Sequence, residues 1–160
     1  MTPARILQVN ARPYSRLRFD ETELRATFAQ LDSLEAFQAP AGELSIVFLT
    51  DNELARLHGE FLDDPSPTDV ITFPGDADMD FAGEICVSVD RALTEAPKHQ
   101  WSFSEELTLY LVHGWLHLAG LDDLDEANRQ KMRDGENYCL ESLRKNDVIP
   151  RFSVDELTDH

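Results

Sequence analysis

The sequence predicts an α/β (α+β) fold: a single domain with a four-stranded mixed sheet packed by about five helices, and a zincin-like histidine helix in its core. Three observations predict it. Short runs rich in β-branched and aromatic residues alternate with stretches whose apolar residues recur at helical spacing. One segment, Leu107 to Leu118, is apolar nearly all round, as a helix buried on every side must be. The chain has 160 residues, 42% hydrophobic and 28% charged, which suits one soluble core needing no disulfide. The domain is expected over residues 1–150, with 151–160 a loosely held tail.

The elements follow in order. Ile6 to Asn10 is a first strand, and an arginine-bearing loop follows. Asp20 to Glu23 opens a helix, because acids suit the positive end of the helix dipole; Leu24, Phe28 and Leu31 supply its buried stripe. Pro40 and Gly42 break the chain before a second strand, Leu44 to Leu49. Thr50 and Glu53 have the spacing of a capping box, and Leu54, Leu57, His58 and Phe61 form the stripe of the next helix. His58 reads there as a packing residue. Two prolines make Asp63 to Asp69 a loop. Val70 to Phe73 is a third strand, ended by Pro74-Gly75. The acidic tip Asp76 to Asp80 leads to a fourth strand, Ala82 to Val89, paired antiparallel with the third. Asp90 is the expected cap of a short helix reaching Ala96. Ser102 and Glu105 form a second capping box and start the histidine helix. A last amphipathic helix runs from Glu126 to Leu143.

Charge narrows the function. Thirty-one acidic residues against fourteen basic give a net charge of −17, which disfavours non-specific nucleic-acid binding by the whole surface. An RNA contact therefore needs a local basic patch, and the best candidate is the run Arg5, Arg12, Arg16 and Arg18. Cys86 and Cys139 form no CxxC pair and read as buried thiols. No signal peptide and no apolar run of membrane-spanning length is visible, so a cytoplasmic protein without a membrane partner is expected.

The chemistry concentrates in His113-Gly-Trp-Leu-His117-Leu-Ala-Gly120-Leu-Asp122-Asp123. Residues four apart lie on one helix face, so both imidazoles project to the same side. Gly120 offers the left-handed turn that ends a helix. The returning chain then brings an acid to complete a three-ligand site with an open position. Two histidines at this spacing are more often packed core residues than ligands. The glycine at +7 and the ligand-type residue at +10 change that balance, because these are the offsets of the metzincin zinc motif. Asp122, Asp123 and Asp125 compete for the third place, and geometry favours Asp123. Gly114 stands where an H-E-x-x-H peptidase carries its glutamate base, which disfavours peptide hydrolysis.

With these residues in view the chain resembles the YbeY family. Pro67-Thr68-Asp69-Val70-Ile71-Thr72-Phe73-Pro74 is close to that family's P-T-D-V-L-S-F-P, and Gly83-Glu84-Ile85 stands where the family has G-D-I. Leu111 to Asp123 sits on its L-V-H-G-x-L-H-L-x-G-Y-D-H. The resemblance implies a metal-dependent, single-strand-specific endoribonuclease of ribosomal RNA maturation (16S rRNA 3′-end processing) and ribosome quality control. It implies zinc, or another divalent ion, on His113, His117 and Asp123. The implied partners are ribosomal RNA and the small ribosomal subunit with its assembly factors, and no DNA. Thr68 is a candidate substrate contact, and Asp69 and Glu84 are candidate bases or supports of the metal site. Two departures stand out: the family's third histidine is Asp123, and its arginine five residues before the P-T-D-V stretch is Leu62. Both leave room for an alternative, a non-catalytic ribosome-assembly factor with a structural or vestigial metal.

Overall fold

The structure is a computed structural model, which describes residues 5–62 and 69–156. Its main sheet has strand order β1-β3-β5-β4, formed by Ile6–Asn10, Glu43–Leu49, Phe81–Ser88 and Val70–Asp76. β1, β3 and β5 run parallel, and β4 joins β5 antiparallel as an edge strand. The helices are α1 (Glu21–Asp32), α2 (Asp51–Leu62), α3 (Val89–Glu95), α4 (Phe103–Leu118) and α5 (Glu126–Lys145). This is the mixed four-stranded sheet with five helices expected from the sequence.

Strand alternation sorts the core into two layers. Leu44, Ile46, Phe48, Ile85 and Val87 point to the face shared with α1, α4 and α5, in one cluster with Phe28, Leu111, Trp115 and Leu140. Leu49, Ile71 and Cys86 point to the other face, against Leu54 of α2. α4 is the buried centre: Leu107, Leu111, Val112, Trp115 and Leu116 are fully enclosed. Its start is the expected capping box, with Ser102 bonded to the Glu105 backbone and Glu105 bonded back. Its end is Gly120 at φ +105°, a conformation glycine adopts without penalty. Gly114 has a different reason. A Cβ there would lie 2.5 Å from Ile85 Cγ2, so only glycine lets α4 seat this closely on β5.

Three expectations are corrected. β4 continues through Pro74 and Gly75 to Asp76, with Pro74 in register with Gly83; an edge strand tolerates the missing donor. Ser88, not Asp90, caps α3 by accepting from the Arg91 backbone N–H. Asp90 instead accepts from the Tyr14 hydroxyl at 2.8 Å and the Asp51 backbone at 2.9 Å, tying three elements together. The segment from Pro150 to Glu156 is held rather than loose. Arg151 pairs with Glu23, Phe152 is buried, and β6 (Ser153–Val154) pairs antiparallel with β2 (Leu17–Arg18). No helix among the described residues is long and apolar enough to cross a membrane.

Candidate metal centre

The last two turns of α4 and the loop into α5 bring His113, His117 and Asp123 together, with one potential ligand atom from each inside a 4.8 Å span. The two Nε2 atoms are 3.0 Å apart. Asp123 Oδ2 lies 3.6 Å from the first and 3.9 Å from the second. A triangle with those three sides has a circumscribed radius of about 2.1 Å, which is the bond length zinc makes to imidazole nitrogen and carboxylate oxygen. The three donors therefore lie close enough together to share one divalent ion. They also line a cleft of about 930 Å³, so the space off their plane opens to substrate.

The other two acids of the turn have different work. Asp122 accepts from the Leu124 backbone N–H, and Asp125 caps α5 through the Asn128 N–H. Among the described residues, Asp123 is the acid of this turn that groups with both imidazoles.

Each imidazole is oriented through its other nitrogen. His117 Nδ1 bonds to the Leu121 carbonyl at 2.9 Å, and His113 Nδ1 pairs with Glu136 Oε2 at 3.3 Å. Such partners favour the Nδ1–H tautomer and leave each Nε2 facing the other donors. The two rings titrate in opposite directions. Burial pulls His113 down, but the hydrogen bond and charge of Glu136, with Asp69 and Asp123, outweigh it and hold its pKa above the usual value. Burial and the neighbouring charge of His113 push His117 below.

Asp69 lines the same cleft, close enough for its charge to act on His113. The residue as a whole is exposed, yet protein packed around its carboxyl raises the pKa above the ordinary carboxylate value. Glu84 is elsewhere. It points to the α2 face of the sheet with Cys86, accepts from Ser45 Oγ at 2.9 Å, and does not line the cleft. Strand parity explains this: Ile85 faces α4, so its neighbour cannot. Of the two base candidates only Asp69 is carried forward. Thr68 lies outside the described residues, and Leu62 is the last residue of α2.

Three participants escaped the sequence reading. Glu136 lies on α5, far from the motif, and nothing in local spacing marks it. His58 lines the cleft rather than only packing. Asp32, at the end of α1, accepts from the indole N–H of Trp115 at 3.1 Å and holds Arg5 by two bonds of 3.0 Å. Trp115 sits between the two histidines on α4, so this network fixes the helix that carries them. The arginine run is also divided. Arg5 belongs to the Asp32 network, whereas Arg16 and Arg18 bond Asp155 at the other sheet.

Comparison with known proteins matches residues 12–144 to the family described as Endoribonuclease YbeY. The Endoribonuclease YbeY of Protochlamydia amoebophila is 35% identical, over 79% of this chain and 90% of its own length. That of Chlamydia pneumoniae is 39% identical, over 74% and 80%. Among solved structures, the solution structure of TM1509 from Thermotoga maritima aligns with a TM-score of 0.59 at 23% identity. It covers 89% of this chain and 95% of that one, a likeness of fold.

Proposed function

This chain belongs to the YbeY endoribonuclease family, and from that premise we propose that it is a metal-dependent endoribonuclease cutting single-stranded RNA in ribosomal RNA maturation. The observation that supports this most is the convergence of His113 Nε2, His117 Nε2 and Asp123 Oδ2 on one point about 2.1 Å from each, at the wall of an open cleft. In this reading those three residues hold the ion, zinc by donor set, with the extra negative charge of Asp123 favouring a harder divalent ion as the alternative. Such an ion supplies Lewis acidity toward a phosphoryl oxygen and lowers the pKa of water.

The chain's own residues do the rest. Glu136 and the Leu121 carbonyl orient the imidazoles. Asp69, raised in pKa by its packed surroundings, accepts the proton of the attacking water from the cleft wall. Gly114, pressed on Ile85, leaves no room for a base at that position, so the base must come from another element. The proposed setting is cytoplasmic, with ribosomal RNA, the small subunit and its assembly factors as partners.

The test is cleavage of a fluorescent single-stranded RNA by the wild-type protein and by His117→Ala, with metal content measured on both. Loss of both metal and cleavage in the variant is expected. Equal cleavage at equal metal content would defeat the proposal. A second reading, a non-catalytic assembly factor with a structural metal, is favoured by the acid lining of the cleft (Asp69, Asp80 and Asp123) and the net charge of −17. It expects co-sedimentation with small-subunit particles and no cleavage.

A further inference from the structure

The metal cleft is not the end of the depression it occupies. A second groove of about 750 Å³ adjoins it, and Pro40, Ala41 and Leu118 form walls of both. Its size falls within the range of roughly 300–1,000 Å³ that encloses a drug-sized ligand.

The two grooves differ in charge. The metal cleft carries Asp69, Asp80 and Asp123 and no lysine or arginine. The second groove carries Arg5 and Arg25 against the single acid Asp32. On a chain of net charge −17 it is the place beside the cleft where an anion gains rather than loses.

The two arginines are held differently. The Arg5 side chain is nine-tenths buried, and its plane is locked by Asp32 at both Nε and NH2 and by the Gly42 carbonyl at 2.8 Å. Three of its five N–H groups are committed in this way, which holds the guanidinium rigid where it lines the groove, and a fixed guanidinium plane is a surface on which bases stack. Arg25 is 63% exposed and, among the described residues, meets only Glu21, at 3.4 Å. A contact of that kind is worth little, so Arg25 is free to exchange Glu21 for a phosphate. Leu7 and Ala29 supply apolar wall, and Gln38 and Ser33 also line the groove.

We propose that this groove is a nucleotide subsite, taking a base and phosphate of the RNA strand to one side of the bond that is cut. The strand leaves the metal cleft across Pro40 and Ala41. The proposal rests on the RNA-cleaving reading above and adds a direction to it: the strand leaves along α1.

The test compares a dinucleotide with a longer single strand, by cleavage kinetics and by fluorescence anisotropy. The proteins are the metal-loaded wild type, Arg25→Glu, Ala41→Glu and the control Arg129→Glu, which makes the same charge change on exposed α5. Arg25→Glu is expected to lower the preference for the longer strand over the dinucleotide about 10-fold, through KM, as loss and reversal of one phosphate contact would. Ala41→Glu, at the exposed saddle between the grooves, is expected to lower it similarly, and the control to leave it in place. If the wild type cuts and prefers the longer strand but all three variants share that preference, the subsite is wrong and the nuclease reading stands. If the wild type neither binds nor cuts either RNA, the nuclease reading fails and the subsite with it.

Discussion

Placing a methyl group on Gly114 tests how α4, and therefore the metal centre, is seated. The Cβ of Gly114→Ala would lie 2.5 Å from Cγ2 of Ile85, 3.1 Å from Cγ1 and 3.3 Å from Cβ. Ile85 is fully buried on the central strand β5, and a β-branched side chain there has one comfortable rotamer, so it cannot swing aside. Overpacking of this kind costs about 1–3 kcal/mol. Alanine also gains about 1 kcal/mol over glycine in a helix interior, which offsets part of that cost. Net destabilisation of up to about 2 kcal/mol is expected, read as a lower urea midpoint at unchanged m-value. Ile85→Val would give no relief, because both clashing carbons remain. Ile85→Ala removes them at about 2–5 kcal/mol by itself. The double variant should therefore lose less than the sum, with a coupling of at least about 1 kcal/mol. Strictly additive effects in the double variant would refute the close seating of α4 on β5. The same contact leaves no room for the larger glutamate that H-E-x-x-H peptidases carry here.

Other outcomes follow from the same network. Asp32→Ala leaves the buried indole N–H of Trp115 without its acceptor and Arg5 with the Gly42 carbonyl alone of its described acceptors; a loss of about 1–3 kcal/mol on chemical denaturation is expected, with weaker metal binding because α4 is less well fixed. Metal affinity should fall as pH falls, because binding displaces the proton that His113, held above its ordinary value, retains; a pH-independent affinity through this range would contradict the assignment of His113 as ligand. His99 meets the buried Glu106 at 2.6 Å, and that hydrogen bond raises its pKa in the folded chain. Its stabilisation is thus complete below the unfolded value of 6.5 and lost as pH rises through the folded one. His99→Gln should flatten that part of the stability–pH profile, and an unchanged profile would remove the pair from the account.

What the sequence made legible was local. The capping boxes at Thr50 and Ser102, the apolar α4 and the left-handed Gly120 all depend on residues within a few positions of one another. The approach of His113, His117 and Asp123 was readable for the same reason, since one helical turn and one tight return bring them together. What was not legible depends on the packing of distant elements. Glu136 reaches His113 only because α5 folds back along α4. Glu84 is turned away by strand parity, which a motif match does not encode unless the register is known. Ser88 takes the α3 cap because Asp90 is drawn off by Tyr14 and Asp51 from other elements. Pro74 looked like a strand end, and only its position on a sheet edge makes it acceptable inside one. Arg5 lies in a different network from Arg16 and Arg18, a division set by Asp32 and Asp155, which come from distant parts of the chain.

The central assignment is that two imidazoles and the carboxylate of Asp123 form one divalent-ion site, while Asp122 serves only the turn. Zinc titration against a competing chromophoric chelator, on the wild type, Asp122→Ala and Asp123→Ala, tests this directly. One ion per chain is expected in the wild type, with the same affinity in Asp122→Ala and an affinity at least about 10-fold weaker in Asp123→Ala. Equal zinc affinity in the wild type and Asp123→Ala would show that the acid at this position is not a ligand, and the site would have to be rebuilt on other residues.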